Sequence, residues 1–156
     1  MMLSSDEVEY EQIKQSRLFH FGTLSMTDDN VKEATKRAIE TAKNNGLIIS
    51  FDPNLRPPLW KSLDDARNQI AYGLSQCDVL KISDNEIEFM TGTSDFDKGA
   101  NILMERYPNI KLLNNKQPVL MEAILIIEKL GHTYLHICLV EQLIQQVQAI
   151  HFVEVC

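Results

Sequence analysis

Three short polar segments follow apolar runs in this sequence, and each could place reactive side chains at the end of a strand. They are Gly22-Thr23, Asp52 to Arg56, and Asp84 to Glu88. If the runs before them form neighbouring parallel strands, their carboxyl ends meet at one edge of a sheet, where open α/β sheets usually bind ligands. The sequence therefore predicts a binding site built from these three segments.

Arg56 is the strongest candidate for ligand chemistry in the second segment. It lies between Pro53 and Pro57, and a guanidinium held by a rigid loop presents a fixed fork to carboxylate, hydroxyl or phosphate oxygens. Asp52 and Asn54 have a simpler explanation, because both side chains commonly bond nearby backbone in turns. From residue type alone, turn chemistry is the preferred interpretation of these two residues.

In the third segment, Asn85 and Glu88 are spaced by one helical turn, so they share a side of the predicted helix. A carboxylate beside an amide can hold magnesium, or its waters, near phosphates. An acid in the first turn of a helix is also favoured by the helix dipole alone. Spacing by itself favours this second explanation, which requires no ligand.

The elements that would position these segments alternate between short apolar runs and amphipathic stretches up to about Leu113. This order is typical of βαβ units and predicts an α/β fold with a parallel sheet covered by helices. The run at 47–51 is apolar enough for a strand buried on both faces. The predicted strands are 18–24, 47–51, 79–82 and 110–113. The predicted helices are 28–45, a helix that begins at the Ser62 cap, a helix that runs from the Ser83 capping box to Gly92, and 94–107.

Composition limits the partners and the compartment. A formal net charge of −7 and a pI near 5.0 argue against nucleic acid or an anionic membrane surface as partner. No apolar run reaches the roughly 20 residues that span a bilayer, and the first six residues lack the basic-then-apolar order of a secretory signal. We therefore expect a cytoplasmic protein. The cysteines show no paired spacing, which predicts reduced thiols, with Cys77 packed as a small apolar residue.

Three segments resemble consecutive parts of fructokinases, which belong to the ribokinase-like sugar kinase family. They read FHFGTLS at 19–25, ISFDPNLRPPLW at 49–60 and KISDNEIEFMTG at 81–92. The middle segment is the most specific, and the resemblance covers about residues 1–113. It implies a Rossmann-like, three-layer α/β/α ribokinase-like sheet, present here in part and truncated at both ends, with 1–113 as the central part of the kinase domain.

The resemblance also implies a reaction and roles for the candidate residues. Enzymes of this family phosphorylate a sugar such as fructose, with ATP as phosphoryl donor and Mg²⁺ as cofactor. Asn85 and Glu88 match the family's Asn-x-x-Glu element, so Glu88 would help to organise magnesium and phosphate, with Asn85 supporting it. Asn54 and Arg56 would lie near the sugar and the transferred phosphoryl group.

Two departures from the family pattern predict that this chain alone does not catalyse phosphoryl transfer. Sugar-binding strands and a lid precede this region in the family, and Met1-Met2-Leu3 resembles an internal position. The family signature Gly-Ala-Gly-Asp, whose amides stabilise developing charge and whose Asp is the base, does not occur, so no catalytic residue is assigned. We expect an inactive fragment. An active fructokinase and a non-catalytic nucleotide- or phosphate-binding module are the alternatives.

Beyond Leu113 the family pattern stops, and we interpret residues 114–156 as a frameshifted tail. Codons for 143–154, read from one base upstream, permit the string DTTGAGDSFCG, which contains the missing signature. An unrelated sequence in that register of the gene would contradict this interpretation. The tail residues that could bind zinc show no standard ligand spacing, so no zinc site is predicted; they are His132, His136, Cys138 and His151.

Overall fold

In the part of the chain that the structure describes, four parallel strands lie side by side in the order in which they occur in the sequence. The structure, a computed structural model, describes residues 5–115. The strands are β1 (Leu18–Gly22), β2 (Ile48–Asp52), β3 (Val79–Ile82) and β4 (Leu112–Asn115). All three neighbouring pairs are parallel, which confirms the predicted α/β fold with a parallel sheet.

Residues 5–115 also form five α-helices and three short 3-10 turns, of which the first helix and the first turn precede β1 and the others connect the strands. The helices are α1 (Tyr10–Lys14), α2 (Asp29–Asn44), α3 (Leu63–Gln76), α4 (Asp84–Thr91) and α5 (Phe96–Arg106), and the 3-10 turns are Ser5–Glu7, Leu24–Met26 and Pro57–Leu59. The predicted helix from Ser94 therefore begins two residues later, after the Asp95 cap. The predicted first strand ends at Gly22, because Leu24 belongs to a 3-10 turn.

Local capping sets the starts of α2 and α3 and the end of α4 where the sequence predicted. The Asp28 side chain accepts from the backbone N–H groups of Asn30 and Val31 at the start of α2, and Ser62 caps α3 in the same way. Gly92 follows α4 with φ 77°, a left-handed conformation that costs glycine little.

The last strand begins two residues later than predicted. The backbone N–H of Lys111 donates to the carbonyl of Asp78 over 2.7 Å, so the chain first crosses the start of β3. Ladder pairing then begins at Val79 opposite Leu112 and continues to Ile82 opposite Asn115. The apolar run at 110–113 located the strand, but the polar Asn114 and Asn115 extend it beyond the apolar residues.

The hydrophobic core lies between one face of the sheet and the helices. Crossovers between parallel strands are almost always right-handed, and with the strand order 1-2-3-4 this handedness places successive helices on the same face. Accordingly, one core cluster contains Phe21, Phe51, Leu80 and Ile82, which lie on the same face of the sheet. The cluster also contains buried residues of α2, α3, α4 and α5. On the opposite face Ile48 is 39% exposed whereas Ser50, two residues along the same strand, is buried, so residues 5–115 cover this face only in part.

Phe51 occupies the centre of this core. Its side chain has no exposed surface, and its ring stacks on Phe21 with ring centroids 4.6 Å apart. Gly73 of α3 lies against the same ring, and a methyl group added at Gly73 would come within 2.3 Å of it. The sheet and α3 can therefore pack this closely only because position 73 has no side chain.

The Cys77 thiol is fully buried after α3, which confirms that it packs as a small apolar residue. Burial, with a smaller contribution from Asp78, raises the pKa of this thiol to about 12. The pKa of the thiol in the folded chain thus lies above its ordinary value of 9.0. The stabilisation that the buried, protonated thiol contributes is therefore complete below about pH 9 and is lost as the pH rises towards 12.

We expect iodoacetamide at pH 8 to leave Cys77 unmodified in the folded chain and to alkylate it after unfolding in guanidinium chloride. A buried, protonated thiol is a poor nucleophile. Mass spectrometry of the peptide containing Cys77 measures both states. Equal labelling rates in the two states would contradict this prediction.

Candidate functional site

The three polar segments meet at the carboxyl edge of the sheet, as the sequence predicted. β1 and β2 end level with each other, with Gly22 opposite Asp52. A methyl group on Gly22 would lie 2.9 Å from the Asp52 carbonyl oxygen, so this close approach requires glycine. Beyond the strand ends, the Thr23 backbone N–H donates to the Pro53 carbonyl over 3.2 Å, and the buried Thr23 hydroxyl donates to the same oxygen.

The loop at 52–56 is held in one conformation by its own backbone and by its neighbours. Asp52 Oδ1 accepts from the Asn54 N–H over 3.1 Å, which is the turn role that residue type had favoured for Asp52. Asn54 has φ 46°, a left-handed conformation that asparagine tolerates better than most residues. The next N–H, that of Leu55, donates to Glu86 Oε1 over 2.9 Å.

Arg56 extends from this fixed loop into solvent. It is exposed and stands at the N-terminal cap of the 3-10 turn Pro57–Leu59, where its carbonyl accepts from the Leu59 N–H over 3.0 Å. Within residues 5–115, its guanidinium takes part in no ion pair or hydrogen bond. The guanidinium is therefore accessible to an anion on a loop whose backbone is already fixed, and binding has to order only the exposed side chain.

Asn85 and Glu88 are both exposed on α4, on either side of two buried residues, Glu86 and Ile87. The capping box predicted at the start of this helix is present, with Ser83 and Glu86 as its members. Exposure leaves the amide of Asn85 and the carboxylate of Glu88 accessible to a ligand. Their roles toward magnesium and phosphate stay a prediction from the family resemblance.

Oxygen donors at this edge fit a hard cation only in part. Mg²⁺ prefers six oxygen ligands and usually keeps several waters alongside one or two carboxylates and substrate phosphates. Glu88 supplies a carboxylate and Asn85 an amide oxygen. Among residues 5–115 no group of three or more His, Cys, Asp or Glu side chains could hold a metal ion, so phosphate oxygens and waters would have to complete the coordination.

Two polar arrangements near the site were not foreseen from the sequence. Glu86 is only 4% exposed, and beyond its capping bond to the Ser83 N–H it binds the Leu55 N–H of the neighbouring loop. The second is a bond of 3.0 Å between His20 Nδ1 and Ser50 Oγ, side by side on β1 and β2. Burial lowers the pKa of His20, and Lys81 adds to this effect while Asp52 opposes it.

The tail predictions fall outside the described residues. These are the frameshift hypothesis for residues 114–156, of which the structure describes only Asn114 and Asn115 in β4, and the expected lack of a zinc site at His132, His136, Cys138 and His151. Within residues 5–115, no helix is both long and apolar enough to cross a membrane.

Comparison with known proteins identifies relatives of this chain. Residues 3–118 match the family described as pfkB family carbohydrate kinase. The chain is 40% identical over 113 residues to a probable fructokinase-2 of Arabidopsis thaliana. The aligned region covers 72% of this chain and 34% of that protein. The chain thus spans about a third of the length of the curated relatives it matches.

Solved structures agree with this assignment. A fructokinase from Xylella fastidiosa with bound ATP has a TM-score of 0.62 and 27% identity, covering 76% of this chain and 38% of that one. A PfkB protein from Polaromonas sp. JS666 has a TM-score of 0.66 and 23% identity. The matched region covers 73% of this chain and 38% of that one. The second likeness concerns the fold alone, and it supports a ribokinase-like arrangement of the sheet.

Proposed function

Because the chain belongs to the pfkB family of carbohydrate kinases, we propose that its strand-end loops are the sugar- and phosphate-contacting part of a fructokinase-like site. The observation that carries this proposal is the exposed Arg56 on a loop that is hydrogen-bonded to both neighbouring segments at the carboxyl edge. Ligands of open α/β sheets bind at this edge. The proposed substrates are a sugar, fructose by relationship, and ATP.

Each candidate residue has a proposed role that its position supports. Arg56 would contact phosphoryl oxygens through its guanidinium, and Asn54 would contact the sugar or the transferred group. Glu88, with Asn85 beside it on α4, would bind magnesium or its waters next to the phosphates. Magnesium would neutralise charge on the phosphates when it is bound.

We further propose that these 156 residues do not catalyse transfer by themselves. Residues 1–113 would correspond to the central part of a kinase domain and 114–156 to the frameshifted tail. No Gly-Ala-Gly-Asp string occurs in the sequence, so the sequence contains no match to the family's catalytic Asp or to the glycine-rich segment whose amides stabilise the developing charge. Positioning alone leaves the sugar hydroxyl without a proton acceptor.

A coupled assay with purified chain, fructose, ATP and MgCl₂ tests this proposal. We expect no sugar phosphate above the level of a Glu88→Ala variant purified in the same way, because contaminating kinases give both samples the same background. Steady turnover that is lost in Glu88→Ala would show an active enzyme and contradict the proposal. Calorimetric titration with MgATP separates the remaining cases: binding without turnover favours a nucleotide-binding module, and absence of binding favours an inactive remnant whose loops contact no ligand, against the proposed role of these loops.

A further inference from the structure

The carboxylate of Glu86 connects the start of α4 to Leu55, a loop residue 31 positions earlier in the chain. Its Oε1 accepts from the Leu55 N–H and its Oε2 from the Ser83 N–H, each over 2.9 Å. A helix cap needs only the bond to Ser83. The bond to Leu55 therefore serves the neighbouring loop and has no capping role.

This bond lies among the candidate ligand-binding residues. Leu55 stands between Asn54 and Arg56 in the loop, while Glu86 lies between Asn85 and Glu88 on α4. Other bonds of the loop run from the Asn54 N–H to Asp52, from Thr23 after β1 to the Pro53 carbonyl, and from the Leu59 N–H to the Arg56 carbonyl. Glu86 thus provides a direct link between the loop and the start of α4.

The chemistry of this link requires a carboxylate. A buried anion is stable only when hydrogen-bond donors surround it, and bonds to a charged acceptor are stronger than neutral ones. Glutamine at this position has one acceptor oxygen for two N–H donors, so one donor would lose its partner. Aspartate keeps both oxygens but shortens the reach by one methylene group.

We propose that Glu86 is a positioning residue that fixes the loop carrying Asn54 and Arg56 relative to the helix carrying Asn85 and Glu88. Because the Glu86 side chain is buried, it acts on the site through the loop and the helix and not by contact with a ligand. The two halves of the phosphate-contacting surface are thereby held at a set separation before a ligand binds. This inference rests on the proposed function only for the identity of that ligand.

Backbone amide exchange and chemical shifts, measured by NMR on the full chain, test the positioning directly. In Glu86→Ala we expect the Leu55 amide to exchange about tenfold faster or more, with shifted resonances for Asn54 and Arg56. Asp95→Ala is the matched control, since Asp95 caps α5 through the Lys98 N–H and its loss weakens a helix end without touching the loop. An unchanged Leu55 amide in folded Glu86→Ala would overturn the proposal.

Conservative variants keep the test decisive if the alanine variant does not fold. We expect Glu86→Gln and Glu86→Asp to shift the Asn54 and Arg56 resonances, with exchange at Leu55 between those of wild type and Glu86→Ala. Resonances in both variants that match wild type would equally overturn the proposal.

Titration with MgATP supplies the functional readout. We expect Glu86→Gln to weaken MgATP binding about tenfold in the wild-type background and to have a clearly smaller effect in the Arg56→Ala background, because a positioning residue acts through the groups it positions and Arg56 is one of them. Equal losses in both backgrounds would contradict action through Arg56. Absence of MgATP binding by the wild-type chain would contradict the proposed function, while the Leu55 amide still decides the role of Glu86.

Discussion

Replacement of Phe51 by alanine is expected to lower the free energy of unfolding by about 3–5 kcal/mol, the usual cost of truncating a fully buried phenylalanine. The side chain has no exposed surface and contacts both Phe21 and the backbone of α3 at Gly73. Gly73 carries no side chain that could move into the cavity. Since domains are stable by only about 5–15 kcal/mol, we expect a large part of the folded population to be lost.

Chemical denaturation followed by circular dichroism measures this loss, with Phe19→Ala as the control. Phe19 is a neighbouring aromatic residue on β1 that is only partly buried, and its ring lies 6.3 Å from that of Phe21. Its truncation removes less buried area and should cost less than half as much. Equal losses for the two variants would show that Phe51 is not the centre of the core.

Removal of the Arg56 guanidinium is expected to weaken binding of MgATP about 10- to 100-fold. A hydrogen bond to a charged group contributes about 1.5–3 kcal/mol, and each 1.4 kcal/mol corresponds to a factor of about ten in affinity. The loop conformation should persist in Arg56→Ala, because its described bonds come from the backbone and from Asp52, Thr23 and Glu86. NMR titration detects the binding even when the affinity is only millimolar.

Arg17→Ala is the matched control for this measurement. Arg17 is also exposed, but it precedes β1, so it lies at the amino edge of the sheet, away from the loops. Both variants change the net charge equally, so a general electrostatic effect would weaken binding in both. Equal losses, or unchanged binding in Arg56→Ala, would remove Arg56 from the phosphate-contacting surface.

Local sequence patterns predicted much of the fold because each depends on a few neighbouring residues. The capping box at Ser83 and the glycine after α4 follow from hydrogen bonds and backbone preferences within one turn. The apolar runs located β2 and β3 because buried strands need apolar side chains. The pattern was less reliable at β4, where Asn114 and Asn115 pair with β3, since ladder bonds use backbone groups and tolerate polar residues.

The meeting of the polar segments was also predictable, because parallel strands place their carboxyl ends at one edge. Residue type identified Asp52 as a turn former, and the structure shows that turn. The roles of Asn54, Arg56, Asn85 and Glu88 came from family resemblance, since amides and charged side chains at loop and helix starts have several ordinary uses.

The sequence alone determined most of the strands and helices, though not α1 or the exact start of β4, and which loops reach the carboxyl edge, because these features depend on near neighbours and on alternation along the chain. Only the tertiary structure decided that Glu86 binds the Leu55 N–H, that Phe51 packs against Gly73, and that His20 pairs with Ser50. Each of these contacts joins residues more than 20 positions apart. Their geometry depends on the register of the whole sheet, which no local pattern encodes.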